Sequence, residues 1–421
     1  MPFPPLSRRT TAARSLSVLL VLLASVACDG GGRAETPVLK WYVFQEPSGA
    51  FAQAASRCSD AAGGAYRIEM SPLPTDADQQ REQLVRRLAA GDPDIDIVGM
   101  DVIWTAEFAE AGWILPLDAG QAAAVISGVL PSALESVRYA GRLWAVPFTT
   151  NTQLLWYRTD RVDRPPETWD AMIRVAEALG DKGTIQVQGE RYEGLTVFFI
   201  SLLASAGGAV LNEEGQVSLE PGPTRAALAA MKRLATSTAA DPSLSSSRED
   251  HGRLAFESGG SSFMVNYTYV WPSARKNAPE VAAQMGWARW PSLVEGKPSR
   301  VTIGGINLGI GAHTRHPALA FEAAACLASA ENQRRAATIG GLPPTLEALY
   351  DEPQVRATFP FAEVLRDTLR DAVQRAQSPV YNDISLAISR TLHPMRDIDP
   401  DKDAERLRQQ VGRALRSEGL F

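Results

Sequence analysis

From Val38 onward, apolar positions switch repeatedly between a period of two and a helical period. Val38–Phe44 (VLKWYVF) reads as a strand, and Phe51, Ala54, Ala55 and Cys58 then recur at helical spacing between Gly49 and Ala62, with Gly63-Gly64 as the stop. A second strand is expected around Tyr66–Met70. Thr75 or Asp76 then caps a helix that runs through Leu84 and Leu88 and ends at Gly91. Ile95–Met100 reads as a short buried strand and Thr105–Ala111 as a helix. Such alternation predicts a mostly parallel sheet with helices on both faces. In an open sheet of this kind the loops at the carboxyl ends of the strands face the ligand, which places Gln45, Glu46 and Asp101 on one rim.

The pattern changes near Pro147. Phe148–Tyr157 reads as an alternating strand leading into a second region richer in helices, and Thr168 caps a helix that follows Pro165-Pro166. Ser261–Val265 and Val301–Ile310 read as strands, the second with a Gly304-Gly305 pair suited to close backbone approach. Outside the reducing cytoplasm Cys58 and Cys326 read as a pair, with two buried free thiols as the alternative. Pairing returns the segment near 326 to the domain holding residue 58, so the chain crosses between two regions at least twice. The expected organisation is one lobe from 38–147 plus about 301–350, and another from 148–300 plus about 351–421, with a hinge and a cleft between them.

The length of 421 residues fits two domains, and 45% hydrophobic with 21% charged residues excludes a disordered or coiled-coil chain. The first 28 residues are an address. Arg8, Arg9 and Arg14 precede a twelve-residue apolar run, Leu16–Ala27, too short for the ~20 residues that span a bilayer. Ser25-Val-Ala-Cys28 resembles a bacterial lipobox with Cys28 as the lipidated residue, and an ordinary cleavage site giving a soluble secreted protein is the alternative. Residues 29–37 form a tether. A net charge of −6 without any Lys/Arg-rich block gives a nucleic-acid role no support. Three cysteines and four scattered histidines leave little for a metal site, and no cofactor is expected.

Four stretches carry a resemblance to a known family: Pro165-Pro-Glu-Thr-Trp-Asp170, Leu254–Asn266, Val301-Thr-Ile-Gly-Gly-Ile-Asn307 and Gly340-Gly-Leu-Pro-Pro344. With the lipobox and the repeated crossing, they resemble the solute-binding lipoproteins of bacterial ABC importers, in the carbohydrate branch related to maltose-binding protein. Within that branch the chain is most similar to the trehalose-binding lipoproteins of mycobacteria, through Asp101–Trp113, Thr149–Tyr157, Ser378-Pro-Val-Tyr381 and a cysteine pair at the places of Cys58 and Cys326. The resemblance implies an α/β, type II periplasmic-binding-protein fold. It also implies a monomer that captures a disaccharide without altering it and delivers it to permease subunits in the membrane. It makes Asp101 and Asn151 sugar contacts, puts Gln45 and Glu46 on the first cleft loop and Tyr267 on an aromatic shelf, and gives the Gly341-Leu342 turn a place in the cleft; Trp271, Gly304, Gly305 and Tyr381 are further candidates read from the residues themselves. The chain departs from those relatives at Tyr267, where they carry tryptophan, and at Ala387, where they carry an arginine contact; the stretch from Asn266 to Val301 is also shorter.

The chemistry suits a sugar. Carboxylates accept hydrogen bonds from hydroxyl groups, amides both donate and accept, and flat rings cover C–H faces. Asp101, Glu46, Asn151 and Gln45 supply the first two; Tyr267, Tyr269, Trp271, Trp287, Trp290 and Tyr381 are the candidate rings. Each residue also has a plainer reading. Asp101 can cap the helix after it, one face of the 267–271 cluster can be core, Gly304-Gly305 can relieve strand packing, and Gly340-Gly341 can stop a helix. A glycosidase using Glu46 and Asp101 as a carboxylate pair is the rival activity, and an importer component for a non-sugar solute is the other. No G-x-S-x-G, H-E-x-x-H or phosphate-loop motif is present.

Overall fold

The computed structural model describes residues 35–74 and 77–419. The expected leader, Cys28 and most of the tether lie outside the described residues, as do the helix caps expected at Thr75 and Asp76. The strands are β1 (Val38–Phe44), β2 (Arg67–Leu73), β3 (Ile97–Asp101), β4 (Arg138–Tyr139), β5 (Arg142–Leu143), β6 (Ala145–Asn151), β7 (Gln153–Arg158), β8 (Ile185–Gln186), β9 (Phe263–Tyr267), β10 (Met285–Ala288) and β11 (Gly304–Ile310). They form a five-stranded sheet in the order β2-β1-β3-β11-β6, a four-stranded sheet in the order β10-β7-β9-β8, and the small hairpin β4-β5.

In the larger sheet β1 pairs in parallel with β2 and β3, as the strand–helix alternation requires. β11, however, is antiparallel to both β3 and β6, so the sheet is mixed and not mostly parallel. The cause is the route of the chain. A parallel strand is reached by a crossover that returns to the starting edge, whereas β11 arrives from the second sheet at the carboxyl-end rim and runs back down.

The run Phe148–Tyr157 corrects the expected boundary. Its alternation is continuous, yet it is two strands in two sheets. β6 ends at Asn151, β7 begins at Gln153, and the fully buried Thr152 makes the passage. Thr152 Oγ1 donates to the carbonyl of Thr302 (3.1 Å). Beside it, Val373 N donates to Val301 O (2.8 Å) and Ile303 N to Val373 O (3.0 Å). Three passages of chain therefore lie side by side where the two sheets meet.

Each sheet has its own core. Trp41, Phe51 and Phe148 pack on one face of the larger sheet at 5.1 to 5.9 Å between ring centroids, while Leu84, Val98, Met100 and Phe108 fill its other face. The second core surrounds the helix Glu193–Ser205, which is buried on every side after its first residue, as expected for a helix apolar all round. A further cluster joins the two lobes, with Leu130 and Ala133 packed among Leu154, Trp156, Tyr350 and Phe361.

Cys58 and Cys326 are joined by a disulfide linking the helices Ala50–Ala61 and Pro317–Leu327. The second helix turns Ala320, Ala323, Ala324 and Leu327 fully inward, and leaves Leu319, Ala325 and Cys326 only half-buried. The bridge spans 268 residues of sequence. A loop of that length constrains the unfolded chain strongly, so the double substitution Cys58→Ser with Cys326→Ser is expected to lower stability by about 2–4 kcal/mol. Urea unfolding monitored by far-UV circular dichroism measures it. An unchanged midpoint would show that the cross-link does not restrict the unfolded state.

Candidate functional site

β1, β3 and β6 run in one direction, so their carboxyl ends share an edge. Along it β11 sets the register: Ile306 stands opposite Asp101 on one side and Thr149 on the other, and Gly304 stands opposite Asn151. Two strand spacings separate Asp101 from the end of β6, about 10 Å. From the second sheet Gln153 pairs with Tyr267, which brings the carboxyl end of β9 to the same edge. Gln45, Asp101, Asn151 and Tyr267 thus meet on one rim.

Asp101 makes the cap that one reading expected and, in addition, an ion pair. Its Oδ1 accepts from Ile103 N (3.1 Å), capping the turn Val102–Trp104, and from Arg375 Nη2 (3.1 Å). Arg375 is only 9% exposed, and its Nη1 donates to Glu193 Oε1 (3.0 Å). Tyr381 donates its hydroxyl to the same Glu193 oxygen (2.5 Å), and Ser385 donates to the other. Asp101 belongs to the first lobe, whereas Glu193, Tyr381 and Ser385 lie on helices of the second. Arg375 sits on the crossing segment between them. Burial alone lowers the affinity of the guanidinium for its proton, but Asp101, Tyr381 and Glu193 more than offset it and hold the pKa above its ordinary value. Burial likewise pushes the phenols of Tyr267 and Tyr381 up, and the carboxylates around them, Glu249 for Tyr267 and Glu193 for Tyr381, push further against the opposing charge of Arg375. Both therefore stay neutral hydrogen-bonding groups at neutral pH.

Arg375, Glu193 and Glu249 were not among the residues expected from sequence. Glu193 is the one charged residue of its helix, and Arg375 stands three residues before Ser378-Pro-Val-Tyr381; both are usable signals. Ala387, where the resemblance places an arginine, is packed in the core of the second lobe. The guanidinium on this rim comes from Arg375 instead.

The remaining positions divide. Gln45 is exposed. Glu46 is buried and accepts from Ser48 N (2.7 Å) and Ala50 N (2.8 Å), covering the start of a helix whose N-cap, Gly49, has no side chain. The loop 340–342 packs against it: a Cβ at Gly340 would lie 3.4 Å from Glu46 Oε1, and one at Gly341 would lie 4.0 Å from Pro272 Cγ of the second lobe. Gly341 also ends the helix Ala330–Gly340 at φ +66°, while Leu342 packs on the first-lobe core. At Gly304 a Cβ would meet Asn151 Oδ1 at 2.1 Å, so glycine makes room for that amide; Gly305 adopts φ +133° hard against Thr149 O. Asn151 Oδ1 is buried with no partner inside the protein.

Among the rings, Trp271 and Trp287 pack edge to face (5.4 Å) with Phe361 beside them, and Trp271 Nε1 is buried and unpaired. Tyr269 is exposed and donates to Asp250 Oδ1 (3.0 Å). Trp290 is fully buried against Trp169 and Phe198 and is a core residue, not a platform.

Residues 67–334, more than half of the chain, match the bacterial extracellular solute-binding protein family, and the chain belongs to that family. Its fold is the two-lobed, mixed α/β architecture of the maltose-binding-protein-like type II periplasmic binding proteins. A probable ABC transporter-binding protein of Deinococcus radiodurans is 27% identical over 343 residues, covering 77% of this chain and 81% of the relative. The structure of maltose-bound T. maritima MalE3 aligns with a TM-score of 0.78 at 27% identity, over 89% of this chain and 98% of the other. An ABC transporter solute-binding protein of Thermotoga lettingae bound with alpha-D-tagatose shares the fold at 21% identity, with a TM-score of 0.77 over 90% of this chain and 100% of that one. Among the described residues no helix is long and apolar enough to cross a membrane.

Arg375→Ala removes the cation between Asp101 and Glu193 and leaves two partly buried carboxylates facing each other. A loss of about 3–5 kcal/mol is expected, read as a lower urea midpoint. An unchanged midpoint would mean that water already solvates both carboxylates.

Proposed function

We propose that this chain is the sugar-capturing lipoprotein of an ABC importer, taking a neutral disaccharide between its lobes and passing it unaltered to a membrane permease. Trehalose is the favoured ligand, given the stretches shared with the mycobacterial trehalose-binding lipoproteins, and maltose-type sugars come next. The observation that carries the reading is the rim itself: Asp101 and Asn151 from one lobe face Tyr267, Glu193 and Tyr381 from the other, with Arg375 between. The carboxylates, guanidinium and phenol gathered there are the acceptors and donors that a ring of hydroxyls needs.

In this reading Asp101, Asn151, Gln45 and Glu46 serve the hydroxyls. Tyr267, Trp271 and Tyr381 offer ring faces, and Gly304, Gly305, Gly341 and Leu342 shape the walls. The lobes, 38–147 with about 301–350 and 148–300 with about 351–421, close by rotation at the passages near Thr152, Thr302 and Val373. Ligand contacts from both sides favour the closed form by their differential affinity. Lipidated Cys28 and the tether hold the protein as a monomer at the outer face of the cell membrane. Asp101 and Glu193 both pair with the single charge of Arg375, which leaves the rim net negative, so the pocket repels sugar phosphates and sugar acids.

A micromolar site needs only about 8 kcal/mol, and hydrogen bonds to charged groups contribute roughly 1.5–3 kcal/mol each. A thermal-shift series with trehalose, maltose, sucrose, monosaccharides and glucose 6-phosphate tests the assignment. At a concentration 100 times the dissociation constant the bound sugar adds about 2.7 kcal/mol of stability, and the phosphate adds none. Asp101→Ala is expected to lose ~10- to 100-fold in affinity while keeping its fold. A melting temperature indifferent to every neutral sugar, or cleavage of a disaccharide by the purified protein, would overturn the reading.

A further inference from the structure

The chain on either side of Arg375 is tied to the first lobe. Gln374, the residue before it, donates Nε2 to Ser132 O (2.7 Å), and Gln377, two residues after it, donates Nε2 to Glu135 O (2.9 Å) and to Arg138 O (3.3 Å). Ser132 and Glu135 lie on the helix Pro131–Ser136, whose last carbonyls have no partner within the helix. The end of that helix is fixed to the larger sheet: Asn307 of β11 donates Nδ2 to Ser136 Oγ (3.0 Å), and Val137 packs in the core around Met100 and Phe108. Toward the second lobe the same stretch is loosely backed. A cavity of about 310 Å³ is lined by Ile200, Ala204, Val210 and Leu211 of that lobe together with Val373–Gln377, and Ala376 touches the second-lobe core. Ser378 changes sides. Its carbonyl accepts from Tyr381 N (3.1 Å) and its Oγ from Val380 N (3.3 Å), which ties it to the helix Tyr381–Leu392. Ile384, Ile388 and Leu392 seat that helix in the core of the second lobe.

We infer that Gln374 and Gln377 are positioning residues that keep Arg375 beside Asp101 in the first lobe while the lobes part, so that this passage pivots between Gln377 and Ser378. Residues 374–377 then travel with the first lobe, unlike the helix that follows them, and the Asp101–Arg375 pair is already formed when a ligand arrives. Closure brings Glu193 to the guanidinium from the second lobe. Only that second contact is made and broken, so the cation keeps one carboxylate in either form and is never stranded. A guanidinium fixed in advance also spares the ligand the cost of ordering it. An amide suits the task, because every acceptor is a carbonyl and the amide nitrogen carries two donors, which lets Gln377 serve two carbonyls at once.

The affinity arm of this inference rests on the proposed sugar binding; the proteolysis arm does not. An arginine-specific protease acting on the unliganded protein reads the freedom of the stretch as the rate of cleavage after Arg375, followed by mass spectrometry. Cleavage is expected to be about tenfold faster in Gln374→Ala with Gln377→Ala than in the wild type, since the open population rises as the anchoring hydrogen bonds are lost. Gln377 is exposed, so single substitutions there keep the fold. Gln377→Glu removes the donor and is expected to speed cleavage, whereas Gln377→Lys gives a donor back to the same carbonyls near a helix C-terminus and is expected to cleave as slowly as the wild type. Glu193→Gln loosens the second-lobe grip and is expected to leave the rate unchanged. In fluorescence titrations with trehalose and with maltose, affinity is expected to fall about tenfold in the double alanine variant, to fall in Gln377→Glu, and to stay near wild type in Gln377→Lys. Equal cleavage of the wild type and the double alanine variant overturns the inference, as does faster cleavage in Glu193→Gln alone or a failure of Gln377→Lys to rescue. If neither sugar binds while cleavage differs as stated, the anchoring stands and the sugar assignment fails.

Discussion

A guanidinium with about nine-tenths of its surface removed from water must be met by opposite charge, and the arrangement around Arg375 follows from that requirement. Glu193 and Asp101 meet it from different lobes, one at the head of a buried helix and one at the end of a central strand. Each carboxylate is itself held, Asp101 by the N–H of Ile103 and Glu193 by the hydroxyls of Tyr381 and Ser385. Satisfying one buried cation therefore fixes the facing edges of both lobes. The same atoms form the polar surface between them, where the proposed sugar contacts also lie.

The wiring makes that contact reversible in principle. The chain passes between the sheets at Thr152, near Thr302 and at Val373, and the three passages are tied by a few hydrogen bonds at 2.8 to 3.1 Å. These passages are the covalent pivots for the proposed closure, beside the apolar cluster that also joins the lobes, while the disulfide at Cys58 and Cys326 lies wholly inside the first lobe and does not restrain it. Rigid halves on a short joint let contacts at the rim decide between open and closed forms, since only interactions made in the closed form can bias the balance.

Much of this was legible in the residue pattern. The strand–helix alternation located β1, β3 and the rim residues Gln45 and Asp101, because period and caps are local properties. The capped helix after Thr168 was legible for the same reason. The break at Thr152 was not: both flanking strands are buried, and the apolar alternation runs through without a glycine or proline to mark it. The direction of β11 was equally hidden, since pairing sense depends on where the chain returns and not on composition. Arg375 and Glu193 escaped because a single buried ion pair has no period, and their partners are 182 and 274 residues away along the chain. Trp290 shows the converse, a ring whose type suggested a platform and whose packing makes it core.

Backbone hydrogen exchange followed by mass spectrometry, with and without saturating trehalose or maltose, tests most directly whether a ligand is gripped from both sides. The account predicts slowed exchange at once near Asp101–Trp104 and Thr150–Gln153 on one side and near Tyr267–Val270 and Ser378–Tyr381 on the other. Slowing confined to a single lobe, or absent from all four segments, would contradict it.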